Sequence, residues 1–150
     1  MTIEECIRKG LLRRARVSPD VIRIELSLAQ SNLEEARSLN RLNHPNAAVI
    51  FIYTSMFHSA RSLLYKDGYT ERSHACLILY LIENYVRRGK VEARFVNVLD
   101  SLKSERHQTL YGTPKAYKME AVNELIDTAD EFLNSVRELS SKKNGCAPIR

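Results

Sequence analysis

The sequence holds little that turns a chain. Five glycines and four prolines in 150 residues leave material for few reversals, and few reversals mean long elements, which are helices. The three cysteines, Cys6, Cys76 and Cys146, are odd in number, far apart and without a Cys-x-x-Cys pair. The expectation is free thiols in a reducing, cytoplasmic setting. The N-terminus lacks a signal-peptide core, because Arg8, Lys9, Arg13 and Arg14 interrupt it. The longest apolar runs, "AAVIFIY" and "CLILYLI", fall far short of the roughly 20 residues that span a bilayer, so no membrane association is expected. Signatures of several enzyme classes are missing too. There is no phosphate-binding glycine loop and no Gly-x-Ser-x-Gly elbow. His44, His58, His74 and His107 are scattered without paired ligand spacing, so neither a metal nor a cofactor is expected.

What is present suits one helical domain. A chain of this length buries roughly 68–70% of its unfolded surface and needs no disulfide or metal to fold. The net charge of +5 favours an acidic partner or RNA without being extreme. Small basic clusters stand at Arg13, Arg14 and Arg16 and at Arg87, Arg88 and Lys90.

Thr2 and Glu5 have capping-box spacing, which predicts a short helix to about Ala15. Ser18 and Pro19 start a second helix, with Ile22, Leu26, Ala29, Leu33 and Ala36 on one stripe. After "NHPN" a third helix is predicted from Pro45 to Asp67. Its first half is apolar nearly all round, the mark of a central helix, and Gly68 caps its end. Ser73 opens a fourth helix that Gly89 stops. A fifth starts near Val91 with Phe95, Val98 and Leu102 inward, until "LYGTP" interrupts it. The last carries Val122, Leu125, Ala129, Leu133 and Val136 inward to about Leu139. No stretch alternates with period two, so no strand is predicted. The expectation is an all-α, up-and-down antiparallel bundle of four to five main helices over residues 1–140, with a disordered tail over 141–150.

Within the third helix Thr54, Ser55, His58, Arg61, Ser62 and Tyr65 share a side. The side is either a polar flank facing water, which the pattern alone favours, or a pocket wall in which imidazole and guanidinium hold a phosphate. His74, beside the cap Ser73, either serves local capping or adds to an anion site at a helix start. The stripe Phe95, Val98, Leu102 continues onto Arg106 and Thr109, so Arg106 should point inward. A buried arginine must be paired. It is either a structural ion pair or the guanidinium of a cleft.

"YTSMFHSARSLL" followed by "DGYTERSH" resembles the HEPN superfamily, and within it small prokaryotic proteins whose long helix reads roughly Tyr-Tyr-Ala-Met-Phe-His-Ala-Ala-Arg-Ala-Leu-Leu. The matching residues are Tyr53, Met56, Phe57, His58, Ala60, Arg61, Leu63, Leu64, Gly68, Tyr69, Ser73 and His74. Arg106 with Tyr111 fits a late motif of that branch, with Leu110 in place of its acidic residue. The resemblance covers about residues 20–138. It implies a helical bundle, commonly a homodimer. It further implies either a metal-independent endoribonuclease, often the toxin of a toxin–antitoxin pair, or a non-catalytic partner of a small nucleotidyltransferase.

Ribonuclease members carry an arginine, a polar residue just after it, and a histidine separated from the arginine by four to six residues. Two such motifs meet across the dimer. Here the polar His107 follows Arg106, but Tyr111 stands where the histidine belongs. Arg37 and His44 have the spacing but flank a helix break. A tyrosine is a poor proton carrier near neutral pH. A one-residue offset turns a helical side chain by about 100°, which directs His107 away from Arg106. The resemblance therefore implies a binding protein, acting with a nucleotidyltransferase or holding RNA or nucleotide through Arg106, with His58, Arg61 and His74 as ligand contacts. The alternatives are a ribonuclease using Arg106, His107 and Tyr111, and a purely structural dimerisation module.

Overall fold

The computed structural model describes residues 1–142. In chain order it contains α1 (Ile3–Arg8), β1 (Leu12–Arg14), α2 (Pro19–Arg41), α3 (Pro45–Lys66), β2 (Tyr69–Glu71), α4 (His74–Leu81), a π-helical turn (Ile82–Val86), α5 (Ala93–Tyr111) and α6 (Met119–Ser141). The all-α bundle expected from the periodicity is present. The tail expected from residue 141 lies, from residue 143 on, outside the described residues.

The starts follow the local signals. Thr2 and Glu5 form the reciprocal capping box, with Glu5 N–H donating to Thr2 Oγ1 at 3.2 Å and Thr2 N–H to Glu5 Oε2 at 2.8 Å. Ser18 caps α2 and Pro19 fills its first turn. α3 is the central helix, packed by α2, α5 and α6. By length and mean hydropathy α3 could cross a membrane, but 67% of that stretch is buried inside the bundle. Phe95 and Phe132 stack at 5.4 Å between α5 and α6.

The polar flank of α3 faces water only in part: Thr54, His58, Arg61 and Tyr65 are half-buried, and Ser55 and Ser62 are buried outright. Ser55, Ser59 and Ser62 are fully buried. Their hydroxyls donate to the carbonyls of Ala29, Ser55 and Ser59 at 2.7, 3.1 and 2.7 Å. Small side chains that bond nearby backbone let α2 and α3 approach closely without stranding a polar group.

Four further features depart from the sequence expectations. The first helix ends at Arg8 rather than near Ala15, because Gly10 takes a left-handed φ of 68°. The chain then runs as β1, antiparallel to β2, with Leu12 opposite Glu71 and Arg14 opposite Tyr69. The partner lies more than 50 residues away, so local periodicity does not reveal it. Cys6 and Cys76 form a disulfide with Cα atoms 6.0 Å apart. Free thiols at these two positions are thereby corrected, and the inference of a reducing compartment loses its premise. Finally, the fourth helix widens into a π turn. Residues five apart in an α-helix point in different directions, and the wider turn brings Tyr80 and Tyr85 to one side. Both donate to Asp67 Oδ2 at 2.9 Å. Burial and then the Asp67 charge push both phenols far above their ordinary pKa, so they remain donors. This clamp fixes the turn between α3 and β2, which leads into the site.

Candidate functional site

A cleft of about 420 Å³ opens between α3, the start of α4 and the last two turns of α5. Tyr53, His74, Lys103, Ser104, Arg106, His107 and Gln108 line it. Each is placed by a local feature. Tyr53 comes from the buried central helix and is 3% exposed. His74 is the first residue of α4, whose start is set by Ser73, its hydroxyl accepting from Cys76 N–H at 3.3 Å. Lys103 to Gln108 are successive positions of α5.

Arg106 is half-buried. Its guanidinium lies over the Tyr53 ring, 5.5 Å from the centroid. Among the described residues no carboxylate comes within 4 Å of it. Of the two readings left open by the sequence, the geometry is that of a guanidinium facing a cleft. His107 also lines the cleft, although the one-residue offset directed it elsewhere. The cleft runs across the flank of α5 rather than along one stripe, so adjacent positions both reach it. Tyr111, at the helix end, is 77% exposed. It does not line the cleft but sets its ring 5.3 Å from that of His107.

His74 is oriented by a hydrogen bond between its Nδ1 and the Tyr53 hydroxyl at 2.5 Å. Burial raises the Tyr53 pKa against the pull of Arg106 and Arg61, so the phenol keeps its proton. Burial lowers the His74 pKa. Glu71 opposes that shift, while Arg61, Arg106 and Lys103 add to it. The ring is therefore neutral at neutral pH and gains charge on acidification.

His58 and Arg61 do not line this cleft. They belong to an ion network one layer beneath, where α2, α3 and β2 meet. Glu25 accepts from His58 Nδ1 at 2.6 Å and lies 3.7 Å from Arg61 Nη1. Glu71 Oε1 accepts from Arg61 Nε at 2.8 Å and Nη2 at 2.5 Å. The Glu25 and Glu71 side chains are only 8% and 2% exposed. The Arg61 guanidinium stacks on Phe57 at 4.5 Å, and Phe57 packs on His74 at 4.3 Å. The network thus supports the cleft from below. Sequence reasoning singled out neither carboxylate. Glu25 could have been found, since it falls four residues before Ala29 and so on the buried stripe of α2.

The lining carries two fixed cations, two imidazoles and no carboxylate. Lys103 is within 3.6 Å of Asp100, an exposed pairing that leaves it available. Such a lining fits an anion. A guanidinium fork matches a phosphate, and the exposed rings of His107 and Tyr111 offer faces on which bases stack. A second hollow of about 370 Å³ on the other flank of α5 has Glu105 and Glu124 in its wall with Lys115. That wall suits a phosphate poorly.

Comparison with known proteins agrees with this fold. The HEPN domain family matches residues 23–139. A "UPF0332 protein" of Thermotoga maritima is 24% identical over 111 residues, covering 74% of this chain and 84% of that protein. A protein of Methanocaldococcus jannaschii named "Putative toxin" is 26% identical over 113 residues, covering 75% of this chain and 84% of its own.

Proposed function

This chain belongs to the HEPN domain family, and from that premise we propose that it is a toxin-like binding protein whose ligand is single-stranded RNA, held by its phosphates in the Arg106 cleft. One observation carries the reading: a half-buried arginine faces an open cleft with no carboxylate to neutralise it. An unpaired guanidinium in such a place binds an anion better than it stabilises a fold. Homodimer formation and docking of a nucleotidyltransferase belong to the same proposal. They rest on the family, and the toxin reading rests on the name of the archaeal relative.

A second reading is favoured by the arrival of His74 from α4. The family's motif would place its histidine at position 111, yet His74 and His107 both line the cleft beside Arg106. Two imidazoles suffice for metal-independent RNA cleavage. One takes the 2′-hydroxyl proton as that oxygen attacks phosphorus. The other protonates the departing 5′-oxygen, leaving a 2′,3′-cyclic phosphate. Arg106 would stabilise the phosphorane charge.

One experiment addresses both. A labelled single-stranded RNA is titrated with wild type and Arg106→Ala in EDTA, with affinity read by anisotropy and integrity by gel. Affinity is expected to fall at least about tenfold in the variant, the worth of a charge-assisted hydrogen-bond pair. Equal affinities would overturn the binding reading. Cleavage by wild type and not by the variant would establish the catalytic one, and intact RNA with both would sink it.

A further inference from the structure

The family match begins at residue 23, so the N-terminal strap, residues 1–16, lies outside it. The fold nonetheless ties this strap to β2 and to α4 at Cys76, on either side of His74 in the chain. Leu12–Arg14 pair with Tyr69–Glu71. Arg72 N–H donates to Leu11 O at 2.9 Å, and Ala15 N–H donates to Gly68 O at 3.0 Å. The Cys6–Cys76 disulfide ties the other end of the strap to α4. Arg72 and Cys76 each stand two residues from His74, which forms one wall of the cleft.

The strap and β2 expose Lys9, Arg13, Arg14, Arg16 and Arg72. Among the described residues none has a carboxylate within 4 Å. Elsewhere Arg23, Arg37, Arg87, Arg94 and Lys103 each lie within 4 Å of an Asp or Glu, while Arg41 and Arg137 bond only to Ser38 and Gln30 side chains. Of the nearby acids Glu4 is exposed, but two others are engaged. Glu5 serves the capping box and Arg8. Glu71, the one acid of β2, is turned inward under Arg61. Arg14 also covers the Tyr69 ring at 5.4 Å, beside the strand pairing.

We propose that the strap is an extension of the RNA site, in which Lys9, Arg13, Arg14, Arg16 and Arg72 neutralise phosphates of a single strand whose end occupies the Arg106 cleft. The inference rests on the cleft holding RNA and adds where the rest of the strand runs. Unpaired arginines on an exposed strand release counterions when they meet phosphates, which gives salt-dependent and length-dependent affinity. The competing use of these charges is to keep an edge strand from pairing with other chains.

The test compares full-length wild type with the triple variant Arg13→Gln/Arg14→Gln/Arg16→Gln. Two labelled RNAs are used, of about 4 and about 16 nucleotides, the ends of the usual range of single-strand site sizes. For the longer RNA the variant should bind at least about tenfold more weakly near 0.1 M salt. Its log-affinity slope against log salt should be shallower by about 2, from roughly 0.7 per lost phosphate contact. The tetranucleotide should bind equally to both proteins. A triple lysine variant should keep the wild-type slope, since the charge is retained. Unchanged affinity and slope for the longer RNA would overturn the proposal, as would equal losses for both RNAs. Arg106→Ala separates the two ideas. If it weakens the tetranucleotide while the glutamine variant changes nothing, the cleft stands and the strap fails. If it changes nothing while the glutamine variant weakens the longer RNA, the strap stands and the cleft fails.

Discussion

Arg61→Ala is expected to destabilise the fold by roughly 3–5 kcal/mol, the cost of removing one partner from a buried ion pair. Glu71 is the reason. Its side chain is 2% exposed, and its Oε1 accepts from both Nε and Nη2 of Arg61. Its Oε2 has no partner among the described residues. Without Arg61 the carboxylate is left buried with no donor at all. For a domain of this size such a loss lowers Tm on the order of 10 °C. Adding Glu71→Gln should return part of the loss, because a neutral amide costs less to bury. Urea melts of the three proteins check this. A single variant within about 1 kcal/mol of wild type, inside the range of exposed pairs, would mean that the network contributes little.

Removing the Cys6–Cys76 disulfide is expected to cost roughly 2–4 kcal/mol. The bond closes a loop with a sequence separation of 70, long enough for a large restriction of the unfolded chain on the chain-entropy account. Besides the disulfide, the strap is held by the buried Leu12 and a short strand pair. α1 is six residues long, and the sheet has two strands of three residues each. Cys6→Ser/Cys76→Ser should lower the urea midpoint and open the strap to proteolysis, while helical circular dichroism from α2, α3 and α6 persists. Reduction of the denatured wild type should raise the count of titratable thiols by two. No increase would contradict the bond.

Both effects depend on contacts that periodicity does not encode. The long helices were legible from different signals: α2 from its stripe and the Ser18–Pro19 start, α3 from an apolar run ending at Gly68, and α6 from its stripe alone. α3 was also legible as central. Its serines were misjudged because hydroxyls read as solvated unless one knows which carbonyls lie opposite. The strand pair and the cysteine pairing were hidden because each joins segments more than 50 residues apart. Gly10, at left-handed φ, was the one local sign that the first helix stops early. The site was half legible. Arg106 was singled out from the α5 stripe and His74 from its place at the start of the fourth helix. The bond from Tyr53 to His74, and the turning of His107 into the same cleft, required the packing of three helices. His58 and Arg61 looked like ligand contacts until Glu25 and Glu71 were seen beneath them.

The four histidines offer a direct test of the central claim that the Arg106 cleft is the RNA site. His74 and His107 line it, His58 is bonded to Glu25 in the layer below, and His44 stands exposed before α3. Their imidazole signals can be followed by NMR as a short single-stranded RNA is added. In the free protein His74 should titrate below the ordinary imidazole value, because burial disfavours its charge. A phosphate in the cleft favours the charged ring, so RNA should shift the His74 and His107 signals and raise the His74 pKa. By linkage, affinity should rise as pH falls through that range. His44 and His58 should stay in place. Binding of RNA that leaves His74 and His107 unmoved, or that moves His58 instead, would contradict the account.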